Sequence, residues 1–253
     1  MPPRRKPAGM SDVLDIAARG ANIRFHVGNG RLRVWAERYE EIEPELLDLV
    51  DALPEGTVLY DVGASIGLFS LYAAIQRGCR VVAFEPEAQN YATLELNHFL
   101  NRDRLKTPLT ALNVALSDEA GLGAIHTRVY GAGEHGKILD QAITQDTKER
   151  FDPAHVQSVL KYRLDDLIDL CRLPPPQVLK VDVDGAEAAV LLGAAKTLRA
   201  PSLHTVFIEL SDHSASDEAA VLEAHGFRPA EKHPVVRLRG GHYPGLFNCV
   251  FRR

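Results

Sequence analysis

The chain has 253 residues, of which 45% are hydrophobic and 25% charged, with a formal net charge of −5. That length suits one large α/β domain or two small ones, and the composition is that of an ordinary soluble globular protein. An acidic balance argues against a nucleic-acid partner, which leaves a basic footprint. Cys79, Cys171 and Cys249 are too scattered for a disulfide framework or a metal site, and they point to a reducing, cytoplasmic setting. No apolar run reaches the ~18 residues of a membrane span.

In chain order, residues 1–10 read as a disordered basic tail, with no apolar stretch behind it that would make a secretory signal. Residues 11–53 read as an N-terminal extension of helix, hairpin and helix. Ser11 is placed to cap a helix over 11–20 with Val13, Leu14, Ile16 and Ala17 as its apolar stripe. Alternating residues 22–26 and 31–35 flank Gly28-Asn29-Gly30, a hairpin signal with Trp35 at its end. Residues 37–53 suit an amphipathic helix whose acidic run, Glu40, Glu41, Glu43 and Glu45, reads as a solvated face.

A domain over 54–253 follows, opening on the strand Val58, Leu59, Tyr60, which ends in Asp61. Gly63, Ala64, Ser65, Ile66 and Gly67 form a turn, and a helix starts at Leu68. Strand, glycine turn and helix N-terminus together suit a nucleotide-like ligand. The dinucleotide pattern G-x-G-x-x-G fails at Ser65 and Leu68, while acid-x-Gly-x-x-x-Gly is met by Asp61, Gly63 and Gly67. The alternatives open at this point are a nicotinamide-dependent oxidoreductase, a turn that binds nothing, and an S-adenosylmethionine site.

The next strand, 80–84, ends at Glu85-Pro86, where an acid is positioned to accept both hydroxyls of a ribose. A helix over 87–100 is expected to bury Tyr91, Leu94 and Phe99, with Asn97 and Asn101 as local caps. A third strand, 110–116, leads to Ser117 and Asp118, candidates for the adenine amino group. An insertion over about 121–176 holds an antiparallel strand at 123–130, a glycine-rich loop containing His135, a strand at 156–162 and a helix at 164–170. The fourth core strand, 177–184, carries Lys180, Asp182 and Asp184. Charge in a buried parallel strand is costly unless paired or functional, so Asp182 and Asp184 are candidate site residues. A fifth strand at 204–210 ends near Glu209, a helix spans 218–225, and strands at 234–238 and 246–251 flank a Gly240-Gly241-His242 loop.

Taken together, DVGASIG, FEPEAQN, NVALSDEAG, VLKYRLDDLI, LKVDVDGAE, VFIEL and FNCVFRR resemble the FkbM-type methyltransferases. Asp184 stands where that family more often has glutamate. The resemblance implies a Rossmann-like class I methyltransferase fold, with a mostly parallel seven-stranded sheet, helices on both faces and a final antiparallel pair. It implies O-methylation of a hydroxyl on a sugar, glycan or natural product with S-adenosylmethionine as cofactor. Carried onto this chain, Asp61, Gly63, Ala64, Ser65 and Gly67 would hold the methionine moiety, Glu85 and Pro86 the ribose end, and Ser117 and Asp118 the adenine. Asp182 would sit between cofactor and acceptor. An alkyl hydroxyl needs a general base; the candidates are Asp182, His135, Asp184 and Glu209. No carboxylate spacing demands a metal. A non-catalytic module retaining the fold remains the other alternative, and the sequence carries no code for the acceptor or the oligomeric state.

Overall fold

The computed structural model describes residues 12–144, 147–236 and 242–253. The expected basic tail, the Ser11 cap, the end of the 234–238 strand and the Gly240-Gly241 part of the last loop lie outside the described residues.

The extension contains the expected kinds of element in a different order. Residues 13–26 are a hairpin, not a helix: β1 (Val13–Ala18) pairs antiparallel with β2 (Ala21–His26). Arg19 and Gly20, at φ 46° and 90°, form its two-residue turn, a backbone that matches the right-handed twist of paired strands. The Gly28-Asn29-Gly30 signal opens a helix instead of a turn. Asn29 accepts a hydrogen bond from the Leu32 amide at 2.8 Å and caps α1 (Gly30–Glu37), so Trp35 lies on a helix. The expected 37–53 helix is broken into α2 (Tyr39–Ile42) and α3 (Pro44–Asp51), because proline tolerates only the first turn of a helix.

The central sheet starts with β3 (Val58–Val62), followed by α4 (Leu68–Tyr72) and a π-helical turn at Ala73–Arg77. Next come β4 (Arg80–Phe84), α5 (Ala88–Asn101) and β5 (Leu109–Leu112). The 110–116 strand does not run on as expected. It breaks at Asn113, whose amide donates to the Glu85 and Pro86 carbonyls. Its continuation, β6 (Ala115–Leu116), joins a second sheet with β7 (Gly121–Thr127), β8 (Lys137–Leu139) and β9 (His155–Tyr162), in the order β6-β9-β7-β8. After α6 (Leu164–Cys171) the chain returns through β10 (Val178–Val181), α7 (Glu187–Gly193), α8 (Ala195–Arg199), β11 (Thr205–Ser211) and α9 (Ala215–Ala224). It ends in β12 (Arg228–Val236) and β13 (His242–Arg252).

The seven-stranded sheet has the order β12-β13-β11-β10-β3-β4-β5, and β13 alone runs against its neighbours. Helices cover both faces. On one, Leu59, Val81, Ala83 and Val178 pack under α1, α3, α4, α5 and the β1–β2 hairpin. On the other, Val58, Tyr60, Val82, Phe84, Leu179 and Val181 pack under α6 to α9. Alternation along each strand is what sends odd and even residues to opposite cores. Two expectations about α5 change. Phe99 is 55% exposed. Asn97 and Asn101 are buried and bond the β2 edge: their carbonyl oxygens accept from the amides of His26 and Arg24. They satisfy a strand edge that would otherwise lack partners.

Candidate functional site

The carboxyl ends of β3, β4, β10 and β11 open into a cavity of about 1080 Å³. Its floor comes from the glycine turn. Gly63, at φ 81°, has no room for a side chain: a Cβ there would stand 1.7 Å from the Asp182 carbonyl oxygen. The end of β10 is thus pressed against the turn that follows β3, which only glycine permits.

Asp61 and Lys180 are direct neighbours in the β3–β10 register and share one face of the sheet. The Lys180 ammonium lies 3.1 Å from Asp61 Oδ1 and 3.4 Å from Asp182 Oδ2, and donates to the Gly63 carbonyl at 3.0 Å. Ser70 Oγ donates to the other Asp61 oxygen at 2.5 Å. Burial works to depress the Lys180 pKa, but Asp61, Asp182 and Glu43 outweigh it and hold the lysine charged. Asp61 is 1% exposed and does not line the cavity, which corrects the expectation that it holds a ligand directly. It braces the turn from behind. Gly67 is likewise outside the lining, packed on Leu94.

Glu85 lines the cavity at the end of β4. Its two oxygens accept from the Ser65 amide at 2.7 Å and the Glu87 amide at 2.9 Å, tying the glycine turn to the start of α5. Burial raises its pKa to about 7, against the opposing effect of those amides. Ser65, Ala64 and Pro86 line the same wall. Ser117 and Asp118 do not reach it. The Ser117 amide bonds the Tyr162 carbonyl and its own carbonyl abuts Gly193, because β6 has turned away from β5 to pair with β9. What faces the region beside Pro86 is a small apolar annex lined by Val114, Ala115, Leu116, Val183 and Ala186.

Opposite stand Asp182, Asp184, Glu209 and His135, all in the lining. Asp184 Oδ2 accepts from the Gly136 and Lys137 amides at 3.2 and 3.3 Å, so it fastens the loop that carries His135. Burial lowers the His135 pKa, with Asp184 acting the other way; burial also raises that of Asp184. The His135 ring lies 5.4 Å from that of Trp35 and 6.5 Å from that of Tyr243. Lys137 closes the wall through a buried ion pair with Glu87 at 2.6 Å.

Three groups from the extension were not anticipated. Glu43, read as part of a solvated run, lines the cavity at the α2–α3 corner, and its Oε2 is inaccessible to solvent. Burial pushes its pKa up to about 8. Arg31 and Trp35 line the mouth, with the guanidinium 5.3 Å from the indole centroid. A charge just before a helix-opening proline was the one available signal for Glu43. Among the described residues no group of three or more His, Cys, Asp or Glu side chains is arranged to hold a metal, and no helix is long and apolar enough to cross a membrane.

The sequence profile of the methyltransferase FkbM domain matches residues 61–229. The 31-O-demethyl-FK506 methyltransferase FkbM of Streptomyces tacrolimicus is 28% identical, over 89% of this chain and 94% of its own. Methyltransferase sdnD of Sordaria araneosa is 33% identical, over 85% and 88%. In fold, the chain resembles magnesium protoporphyrin IX methyltransferase from Synechocystis PCC 6803, solved with bound SAM, at a TM-score of 0.51 and 11% identity over 89% of this chain and 84% of that one. The matched stretch runs from Asp61 of the glycine turn through Glu85, His135 and Asp182 to the start of β12, and the chain belongs to the FkbM methyltransferase family.

Proposed function

We propose that this methyltransferase uses S-adenosylmethionine to methylate a hydroxyl of a sugar, glycan or natural product. The observation that carries the cofactor is Glu85: a carboxylate held by the glycine turn, at the end of the second parallel strand, with lone pairs left for a diol. The residues present fit the group. Glu85 would take the ribose hydroxyls, Gly63, Ala64 and Ser65 would flank the methionyl portion, and the annex of Pro86, Val114, Leu116 and Val183 would take the adenine. The carboxyl groups gathered in the lining, Glu43, Asp182, Asp184 and Glu209, suit a cationic donor.

When bound, the cofactor supplies a methyl group on a sulfonium, whose departure as a neutral thioether needs no acid. The protein's task is to orient the acceptor oxygen and remove its proton. In this reading the acceptor hydroxyl donates its hydrogen bond to His135, and Asp182 lines the cavity beside it. The proton passes to a ring nitrogen of His135, while Asp184 holds the histidine loop in place. The name of the Streptomyces relative specifies methylation at oxygen, which supports the hydroxyl.

Isothermal titration with S-adenosylmethionine tests the first step: wild type binds, and Glu85→Ala does not. Binding unchanged by that substitution overturns the cofactor assignment. Transfer of labelled methyl to cell extract separates an enzyme from a module that only keeps the fold.

A further inference from the structure

One end of the cavity gathers more carboxyl groups than it has cations to pair them. Asp61, Asp182, Glu43 and Glu209 influence one another there, and Lys180 is the cation among them. Its ammonium has three donors, and these already face Asp61, Asp182 and the Gly63 carbonyl. Glu43 is left over. Its Oε2 is sealed from solvent and accepts no hydrogen bond among the described residues. Such a group is destabilising while it stays unsatisfied.

Nor can the corner that carries it swing away. Pro44 starts α3, Glu45 accepts from the Asn248 amide at 2.7 Å, and the Tyr39 hydroxyl donates to the Leu68 carbonyl at 3.0 Å. Glu43 is therefore fixed in a cavity wall that also contains Ala64, Ser65, Leu68 and Phe69. The stretch matched by the family profile begins after it, at residue 61.

Resting on the S-adenosylmethionine reading, we infer that Glu43 receives the α-ammonium of the donor's methionyl group. The chemistry selects an ammonium over the sulfonium. A sulfonium brings positive charge but no N–H, whereas the Glu43 oxygen lacks a hydrogen-bond partner, and an ammonium beside it would both supply one and favour the ionised carboxylate. Glu85, at the end of β4, anchors the nucleoside; Glu43, from outside the sheet, anchors the amino-acid end. The extension thereby becomes part of the cofactor site.

Calorimetric titration of the full chain with three ligands tests this: S-adenosylhomocysteine, its deamino analogue, and 5′-methylthioadenosine, which lacks the amino-acid portion. Wild type should prefer S-adenosylhomocysteine to the deamino analogue by on the order of 10- to 100-fold. Glu43→Gln should lose that preference and keep its affinity for 5′-methylthioadenosine. Wild type binding both homocysteine compounds equally overturns the inference without any mutation. A Glu43→Gln variant that retains the preference, or weakens for all three ligands alike, overturns it as well. Wild type binding none of the three overturns the S-adenosylmethionine reading itself, a result distinct from the others.

Discussion

The parallel strands and the N-terminal extension both put charge on the same cavity, but they treat it differently. In the sheet, Lys180 meets Asp61 in register and supplies its counter-charge, Ser70 bonds the other Asp61 oxygen, and Glu85 is held by two backbone amides. In the extension, Glu43 Oε2 and Arg31 Nε are sealed from solvent with no partner among the described residues. Matched charges cost little to keep and hold the fold together. Unmatched ones are tolerable where something else arrives to match them. The strand ends accordingly form the scaffold of the site, and the wall is where ligand chemistry remains unanswered.

Breaking the scaffold should cost the fold itself. Gly63→Ala forces a Cβ against the Asp182 carbonyl at a positive φ, and a loss of about 3–4 kcal/mol should lower the melting temperature by roughly 10 °C. Lys180→Met strands Asp61 without its counter-ion, and urea unfolding should show a loss of about 3–5 kcal/mol, largely recovered by adding Asp61→Asn. A melt unchanged by either substitution would dissolve the distinction between scaffold and wall.

Breaking the wall should spare the fold and cost chemistry. His135→Ala should lower kcat by about 100-fold with cofactor affinity intact, measured by single-turnover methyl transfer beside calorimetry. A pH series sharpens the same contrast. The folded-state pKa of Glu43 is raised to about 8 from an ordinary 4.5. Between those values the unfolded chain sheds a proton that the native state keeps. Stability from this group is therefore complete below about pH 4.5 and declines as pH rises towards 8. Glu43→Gln, fixed in the neutral form, should become progressively more stable relative to wild type from pH 5 to pH 8.5 in denaturant titrations. Asn29→Ala should give the smallest effect, about 1 kcal/mol by thermal unfolding, through loss of the α1 cap.

How much of this was legible depended on whether the relevant residues adjoin in sequence. DVGASIG, FEP and KVDVDG each carry a strand end and its chemistry within a few residues, so the sheet, its order of function and the cavity position of Glu85, Asp182 and Asp184 could be read directly. His135 stood out as a histidine between glycines. Ser117 and Asp118 were misplaced because the break at Asn113 depends on bonds to the Glu85-Pro86 carbonyls, which no local pattern encodes. The β1–β2 hairpin was missed because Val-Leu-Asp-Ile-Ala-Ala suits helix and strand alike, and the Arg-Gly turn decides. Glu43 looked like one acid among four. Only the fold separates it from Glu40, which accepts from the Arg19 amide, and Glu41, which pairs with Arg38.

The grip of Lys180 also bears on how the chain is made. Gly63 leaves the ribosome 117 residues ahead of the lysine that will bind its carbonyl, and Asp61 precedes it further. Until β10 arrives, the centre of the sheet lacks its middle strand, and Asp61 has no counter-ion to go under cover with. Contacts so distant in sequence close slowly. The order of synthesis therefore leaves the glycine turn hydrated and open until Asp182 has been built, so both sides of the cavity mature in one late step.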